Sequence, residues 1–244
     1  MTDLRGQVAV VTGGARRVGA AIVLALADAG CDVVINYRES RDDAETTAAQ
    51  ARRAGVQAIV VQGDVARAAD VDRLLATTLA TFARADILVA NAGAFRRTPV
   101  ETLTEAEWDD MLDNNLRACF LCAQRFGVHM RAHGGGAVVA LADVAGLRPW
   151  ADYLPYSIAK AGVIALTHGL AKALAPEVRV NAVAPGPVLF PENYDPALRE
   201  REIGRTLLGR AGTPQHIADA VVALVRNDYI TGVVLPVDGG RILT

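Results

Sequence analysis

Short apolar runs alternate with longer segments of helical apolar spacing along the chain, and this alternation most limits how the chain can fold. The runs recur at intervals of roughly 25–30 residues, which is typical of parallel strands joined by crossover helices. The first run is rich in β-branched residues, as expected for a strand buried on both faces. The predicted strands cover residues 8–12, 33–36, 58–61, 87–90, 137–142, 178–183 and 233–237. The sequence therefore predicts an α/β fold with a doubly wound parallel sheet of about seven strands.

The totals set further limits on domain organisation and partners. The chain has 244 residues, 52% of them hydrophobic, which suffices for a continuous core and is too apolar for disorder. No repeat or linker interrupts it, so we predict a single domain over residues 1–244. The net charge of −2, without a basic block, makes nucleic acid an improbable partner. No apolar run suits a membrane span, and the N-terminal segment lacks the pattern of a secretory signal, so the expected location is cytoplasmic.

Two short motifs raise the question of a metal or redox site. Cys119 and Cys122 form a C-x-x-C, but they lie in an apolar helical run without a second pair, so packing explains them better. His129 and His133 have the i, i+4 spacing that can bind zinc. No acid lies between them, and glycines 134–136 end the helix. The sequence therefore predicts no metal site.

Glycines follow the first predicted strand where a helix over residues 20–29 is predicted to begin. The segment from Thr12 to Gly19 reads TGGARRVG, a TGxxxRxG pattern rather than GxGxxG. A strand, a glycine turn and a helix are the context that a nucleotide-binding loop requires, because the N–H groups at a helix N-terminus favour a phosphate. The pattern by itself is a weak signal for such a loop.

The second predicted strand ends in Tyr37 and Arg38. An NAD-binding domain usually has an acid near this place to bind the ribose 2′-hydroxyl. An arginine suits a 2′-phosphate instead, because its guanidinium can make a bidentate contact. Arg38 is also compatible with a solvated loop. The sequence favours NADP(H) over NAD.

Tyr156 and Lys160 lie four residues apart at the start of a helix predicted for residues 156–175, so they share one helix face. A nearby ammonium favours the phenolate and should lower the pKa of the tyrosine. A phenol with a lowered pKa is a usable proton donor near neutral pH. The same spacing also arises by chance on helices, so the pair depends on support from the rest of the chain.

The chain resembles the short-chain dehydrogenase/reductase family over nearly its whole length. The motifs that carry the resemblance are Thr12-Gly13 with Gly19, Asp64-Val65, Asn91-Ala92-Gly93, Asn115, Tyr156 with Lys160, Pro185-Gly186 and Asp238-Gly239-Gly240. The resemblance implies a single-domain Rossmann-type fold and an oxidoreductase that uses NADP(H).

It also implies catalytic roles. Tyr156 would give a proton to the substrate, and Lys160 would hold the nicotinamide ribose hydroxyls. Asn115, on a helix that a capping box at Thr104 is predicted to start, would anchor a water that relays protons to Lys160. The catalytic set is completed by Asp143.

Other positions would bind the cofactor. Asn91 would lie near the nicotinamide ribose, Asp64 would face the adenine, and Pro185-Gly186 would pass beside the nicotinamide. The full cofactor set is Gly13, Arg16, Arg17, Val18, Gly19, Tyr37, Arg38, Ser40, Asp64, Val65, Asn91, Ala92, Gly93, Tyr156, Lys160, Pro185, Gly186 and Val188.

Two departures from the common family pattern resemble the pteridine reductase branch. Most of the family has a serine thirteen residues before the tyrosine, where this chain has Asp143, and a glycine where it has Arg17. In that branch an aromatic residue at the place of Phe95 sandwiches the pterin against the nicotinamide. The branch has a serine where this chain has Gly93, which is a point of disagreement.

The substrate residues follow from that resemblance. Asp143 could orient or reprotonate Tyr156 and bond the N–H edge of a pterin, or it is a non-catalytic carboxylate. Arg17 could reach a pterin oxygen or contact phosphate only, and Phe95 could be a plain pocket wall. The proposed substrate residues are Arg17, Phe95, Asp143, Tyr156, Trp150, Leu189 and Phe190, with Tyr153 and Tyr194 as further pocket candidates and a mobile lid near 187–205.

These observations lead to one favoured function and two alternatives. The favoured one is an NADPH-dependent reductase of a C=N bond in a dihydropterin- or dihydrofolate-like small molecule. The alternatives are a carbonyl reductase of the 3-oxoacyl-carrier-protein reductase type and a non-enzymatic, cofactor-binding regulator. The resemblance also implies a homotetramer or dimer built on the helix around 115–131 and the helix that begins at Tyr156.

Overall fold

The computed structural model describes residues 2–190 and 194–244. The strands are β1 Val8–Val11, β2 Asp32–Tyr37, β3 Ala58–Gln62, β4 Ile87–Ala90, β5 Gly136–Leu141, β6 Val178–Pro185 and β7 Val234–Val237. The helices are α1 Arg17–Asp28, α2 Arg41–Arg52, α3 Ala68–Phe82, α4 Glu105–Leu112, α5 Ala118–Ala132, α6 Leu154–Leu174, α7 Pro196–Gly204 and α8 Pro214–Arg226. A π-helical turn, Asp113–Arg117, joins α4 to α5.

The strands form one sheet of seven in the order β3-β2-β1-β4-β5-β6-β7, and the paired strands run parallel. The chain runs outwards from β1 to β3 and then returns to the other side of β1 with β4. The strand order therefore reverses between β1 and β4. In open α/β sheets a ligand-binding crevice forms at the carboxyl ends of the strands at such a point. The predicted doubly wound sheet of about seven strands is confirmed.

Helices cover both faces of the sheet, and the sequence of β1 shows how. Ala9 and Val11 pack into a core with residues of α1, α2 and α8. Val8 and Val10 pack into a second core with residues of α3, α5 and α6. Successive side chains of a strand point to opposite faces, so every residue of β1 is buried. Burial on both faces explains the continuous apolar runs in the sequence.

Most predicted boundaries differ from the observed ones by one or two residues, and two differences matter for function. The first helix begins at Arg17 rather than at residue 20, which places both arginines of the glycine loop at its N-terminus. The capping box at Thr104 forms as predicted. The helix that it starts ends at Leu112, so Asn115 lies on the π-helical turn rather than on that α-helix.

The segment predicted as a lid, 187–205, includes a helix that the sequence indicated only weakly. Asp195 caps α7 by accepting hydrogen bonds from the N–H groups of Ala197 and Leu198, and Pro196 opens the helix. Residues 191–193 of this segment lie outside the described residues. No helix among the described residues is long and apolar enough to cross a membrane.

Candidate active site

A cleft of about 580 Å³ opens at the reversal point of the sheet. The loops after β1 and β4 meet at its floor. The Thr12 hydroxyl accepts hydrogen bonds from the N–H groups of Asn91 and Ala92, both at 3.0 Å. The Asn91 side-chain amide donates to the carbonyls of Thr12 at 2.9 Å and Gly13 at 3.1 Å. Asn91 therefore fixes the glycine loop and lines the cleft at the same time.

Two positions of this loop must be glycine because other backbone atoms lie too close for a side chain. Gly13 has a φ of +60°, and a Cβ there would lie 3.1 Å from the Cα of Ala92. A Cβ on Gly19 would lie 2.2 Å from the Gly13 carbonyl oxygen. The loop consequently leaves a cradle of backbone against the start of α1, where an anionic phosphate is favoured.

Arg16 and Arg17 are exposed at the mouth of this cradle and line the cleft. Arg17 has a φ of +57°, which is unusual for a residue other than glycine. Among the described residues neither guanidinium has an ion-pair or hydrogen-bond partner. Both are thus available to a bound anion, and Val18 lines the same wall.

The far end of the cleft contains the residues predicted to bind adenosine. Tyr37, Arg38, Ser40, Asp64 and Val65 all line it. Sequence reasoning missed several further lining residues, of which Asn36 is anchored to the glycine loop: its side-chain oxygen accepts from the N–H of Gly13 at 3.4 Å. Asn36 follows the apolar run of β2 directly, and that position was the signal that could have found it.

Arg38 is an exposed residue of the loop after β2, and its guanidinium has partners at the cleft. Its guanidinium donates to the Asn114 side-chain oxygen at 3.2 Å, across the cleft, and forms an ion pair with Glu39 at 3.2 Å. Asn114, which the sequence analysis also missed, precedes Asn115 on the π-helical turn. Arg38 therefore lies over the cleft, where a group bound between β2 and this turn would meet it.

Three side chains converge where β5 ends and α6 begins. The Tyr156 hydroxyl donates to Asp143 Oδ2 at 2.8 Å, and Asp143 Oδ1 accepts from the N–H of Ala145 at 2.7 Å. Lys160 Nζ donates to the carbonyl of Leu141 at 2.7 Å and lies 5.7 Å from the centre of the Tyr156 ring. The predicted helix face is therefore formed, but the group bonded to the tyrosine hydroxyl is the carboxylate.

The electrostatics of these three groups correct the expectation that Lys160 lowers the pKa of Tyr156. Burial, and then the charge of Asp143 and its hydrogen bond, raise the pKa of Tyr156 well above 10.0. Burial also raises the pKa of Asp143 and lowers the pKa of Lys160, although Asp143 opposes the shift at Lys160. All three shifts favour neutral forms, because charge is costly in this enclosed place. Tyr156 is consequently a protonated donor at neutral pH.

Asn115 lies beside Lys160 with one atom left unbonded. Its amide nitrogen donates to the carbonyls of Ala94 at 3.0 Å and Met111 at 2.9 Å. Its buried side-chain oxygen has no hydrogen-bond partner among the described residues. A Cβ on Gly93 would lie 2.7 Å from that oxygen and 3.7 Å from Lys160 Nζ. The glycine therefore leaves room for the oxygen to accept a hydrogen bond near the lysine.

Aromatic rings form the wall next to the tyrosine. Phe95 stacks on Tyr153 with ring centres 4.6 Å apart and an interplanar angle of 8°. Its edge-to-face contacts to Tyr156 and Trp150 have centre separations of 5.0 and 6.4 Å. Phe95 remains 44% exposed, a large value for an apolar ring. The structure thus brings Phe95, Trp150 and the pocket candidate Tyr153 to the proton donor.

Other predicted residues lie apart from this arrangement. Pro185, Gly186 and Val188 are not among the residues lining the cleft. Gly186 packs against Asp238, where a Cβ would lie 2.6 Å from its Cα. Phe190 contacts Tyr194, with ring centres 5.3 Å apart, and Leu189 is exposed. No contact of Leu189 or Phe190 with the cluster around Tyr156 is found among the described residues.

The residues of the C-x-x-C and of the histidine pair are not among those lining the cleft. Cys119 and Cys122 are buried, and burial raises the pKa of the Cys119 thiol to about 11 and that of Cys122 further. The rings of His129 and His133 stack with centres 4.1 Å apart. Within residues 2–190 and 194–244 no group of three or more His, Cys, Asp or Glu residues is placed to hold a metal ion.

Comparison with known proteins gives a consistent result. Residues 13–241 match a family model described as Enoyl-(Acyl carrier protein) reductase. The chain is 39% identical to a 3-oxoacyl-[acyl-carrier-protein] reductase of Synechocystis sp. over 249 residues, covering 100% of both chains. It is 35% identical to the 3-oxoacyl-[acyl-carrier-protein] reductase of Staphylococcus aureus over 237 residues, covering 95% of this chain and 96% of that one.

Solved structures agree with these matches. A short-chain dehydrogenase/reductase from Serratia marcescens superposes with a TM-score of 0.93 at 34% identity, covering 99% of this chain and 100% of that one. Levodione reductase superposes with a TM-score of 0.92 at 28% identity, covering 98% of this chain and 99% of that one.

Proposed function

The chain is an oxidoreductase that belongs to the short-chain dehydrogenase/reductase family, and from that premise we propose that it is an NADPH-dependent reductase of a C=N bond in a dihydropterin- or dihydrofolate-like substrate. The observation that carries the proposal is the hydrogen bond from Tyr156 to Asp143. The resemblance places a serine at position 143 in most of the family, where it bonds a substrate carbonyl. Here the side chain at position 143 accepts a hydrogen bond from the phenol instead.

The cleft fits a dinucleotide by its shape and its donors. The cradle between Gly13 and Gly19 and the two free guanidiniums of Arg16 and Arg17 suit the pyrophosphate. The proposed preference for the 2′-phosphorylated cofactor depends on Arg38, which lies over the far end of the cleft. When bound, NADPH supplies a hydride.

The proton would come from Tyr156, whose raised pKa keeps it protonated. Reduction of a C=N bond needs a proton at nitrogen and develops no alkoxide, so the absence of a serine donor is no disadvantage. Asp143 holds the phenol in place and is available to an N–H edge of the substrate. Lys160 and the Asn115 oxygen, which has no hydrogen-bond partner among the described residues, would bind the water that returns its proton.

The wall beside Tyr156 favours a flat substrate. Phe95 presents an exposed ring that Tyr153 supports from one side. A planar heterocycle gains stacking on such a ring, typically about 0.5–1.5 kcal/mol beyond area burial. Arg17, Trp150, Leu189 and Phe190 are proposed to complete the pocket, with segment 187–205 as its lid.

The second candidate is a carbonyl reductase of the 3-oxoacyl-carrier-protein type. The relatives favour it, since the two reductases compared above are both named 3-oxoacyl-[acyl-carrier-protein] reductases. This candidate must explain how a ketone is reduced where Asp143 replaces the serine donor.

One substrate panel separates the two candidates. Purified protein is offered NADPH with dihydrobiopterin, dihydrofolate or an acetoacetyl thioester, and the loss of NADPH absorbance is followed. We expect turnover of a dihydropterin, and no turnover after Tyr156→Phe, with NADPH affinity nearly unchanged. Turnover of the thioester alone, increased by Asp143→Ser, would establish the carbonyl reductase instead.

The proposed assembly is a homotetramer or dimer. Apolar residues line a groove between the π-helical turn, α5 and α6. They are Leu112, Leu116, Phe120, Gly162 and Leu166, flanked by Asp113 and Arg117. Phe120 is 40% exposed there. A second copy of this face would remove the ring from water.

A further inference from the structure

A buried ion pair joins α7 to the C-terminal turn. Arg241 Nη2 lies 2.9 Å from Glu202 Oε2, and Arg241 Nε donates to the same oxygen at 3.2 Å. The side chains are 7% and 18% exposed. The other carboxylate oxygen of Glu202 accepts from Arg205 Nη1 at 3.0 Å, but Arg205 is largely exposed and lies just after the same helix. Breaking one partner of a buried pair is strongly destabilising, because the other charge is left without compensation. Neither residue lines the cleft, and neither belongs to the group formed by Tyr156, Asp143 and Lys160.

The C-terminal turn also contacts the strand end predicted to pass the nicotinamide. The N–H of Gly186 donates to the carbonyl of Val237 at 3.1 Å, and Gly186 packs on Asp238. Asp238 fixes the turn by accepting from the N–H groups of Gly240 at 2.9 Å and Ile242 at 2.8 Å. Arg241 therefore projects from a turn that is itself held against the end of β6.

On the other side, the turn holds the segment that follows α7. The N–H of Leu208 donates to the carbonyl of Gly239 at 3.1 Å. A Cβ on Gly240, whose φ is +81°, would lie 2.8 Å from the Leu207 side chain. Two contacts therefore tie α7 to the C-terminal turn. One is the ion pair of Glu202 with Arg241, and the other is the packing of the residues just after α7 against Gly239 and Gly240.

Glu202 also lies within electrostatic reach of the aromatic wall. Burial raises the pKa of Tyr153 and of Tyr194, and the charge of Glu202 adds to both shifts. Tyr153 is the residue that supports Phe95 beside the proton donor.

We propose that Glu202 and Arg241 are positioning residues that anchor α7, which belongs to the lid segment proposed above, to the C-terminal turn beside the end of β6. The proposal rests on the function proposed above for the identity of the substrate, but not for the anchoring itself. Loss of the pair would free α7 from the turn while the glycine loop and the cleft stay intact. Substrate binding would weaken, and cofactor binding would not.

The test uses the full-length protein with Glu202→Gln, which keeps the shape of the side chain and removes its charge. Glu200→Gln is the matched control, because Glu200 is exposed on the same helix. Trypsin cleavage after Arg199 and Arg201, resolved by mass spectrometry, reports release of α7 without reference to any substrate. Steady-state KM, kcat and the NADPH Kd are measured in parallel.

We expect Glu202→Gln to raise the cleavage rate and the substrate KM by about tenfold each, while the NADPH Kd changes by less than about twofold. The double variant Glu202→Gln with Arg241→Gln should recover part of both losses, because it leaves no unpaired buried charge. Cleavage at the rate of Glu200→Gln would overturn the proposal, and so would an equal rise in KM and Kd. If no dihydropterin or ketone is reduced, the proposed function fails. The rate of tryptic cleavage within α7 still shows whether the Glu202–Arg241 pair anchors this helix.

Discussion

Asp143 and Tyr156 share a hydrogen bond that connects substrate choice with stability. β5 ends at Leu141, so residue 143 lies over the first turn of α6, thirteen residues before the tyrosine. Lys160 bonds a backbone carbonyl instead of the phenol. Burial, with the charge of Asp143 added to it, raises the pKa of Tyr156, so the phenol stays protonated over the neutral range.

The raised pKa of Asp143 predicts that this residue costs stability at neutral pH. Above its unfolded pKa of about 3.9, the unfolded chain releases this proton more readily than the folded one, so stability falls as pH rises through the raised folded pKa. Asp143→Asn should therefore raise the melting temperature at pH 7 while lowering turnover by about tenfold or more. The gain should shrink as the pH approaches about 4.

Thermal unfolding between these pH values measures the effect. Asp109→Asn is the control, because it makes the same change at an exposed carboxylate. A lower melting temperature for Asp143→Asn at pH 7 would contradict the sign of the shift.

Gly93 is the second residue whose identity the geometry explains. Gly93→Ala would place a Cβ 2.7 Å from the Asn115 oxygen, which must then move. Because a displacement of about 1 Å in a catalytic group can cost up to roughly 100-fold, we expect kcat to fall by about tenfold or more. NADPH binding, measured by fluorescence titration, should change much less. Unchanged kcat would show that the Asn115 oxygen is not part of the proton path.

At the scale of elements, the junction of β1 and α1 is the most constrained. Gly19→Ala would place a methyl group 2.2 Å from the Gly13 carbonyl oxygen, and backbone on both sides leaves little room to relax. Overpacking of this kind costs about 1–3 kcal/mol, and about 1.4 kcal/mol is a factor of ten in affinity. We expect the NADPH Kd to rise by about tenfold.

Calorimetric titration with NADPH checks this expectation. Gly169→Ala on α6 is the matched control, since a Cβ there meets nothing within 4 Å. Equal affinities for the two variants would mean that the loop does not form the phosphate cradle.

At the scale of the whole molecule, the groove around Phe120 is the surface that the assembly proposal depends on. Phe120→Glu puts a charge where a partner's apolar face would lie, and burying an unpaired charge is costly. We expect light scattering to show a smaller assembly than for the wild type. Tyr229→Glu, at a 97% exposed position away from the groove, should leave the mass unchanged. Equal masses for all three proteins would remove this groove from the assembly.

The sheet and most helix boundaries could be predicted because their signals are local. Apolar runs, glycine stops and the capping box at Thr104 act within a few residues. A strand buried on both faces is recognised directly, because its sequence is continuously apolar. The family resemblance added Tyr156, Lys160, Asn115 and Asp143 as a set. Local signals did not reveal the π-helical turn, which places Asn114 at the cleft and Asn115 next to Gly93.

The sequence by itself determined the parallel α/β sheet, the glycine loop and the position of Tyr156 and Lys160 on the same face of one helix. Only the tertiary structure decided which partner each side chain meets. Arg38 and Asn114 are 76 residues apart in sequence, and Arg241 and Glu202 are 39 apart. Such contacts depend on strand register and helix crossing rather than on local spacing. The pKa of Tyr156 was mispredicted for the same reason, because burial and a carboxylate from another loop outweigh a lysine one turn away.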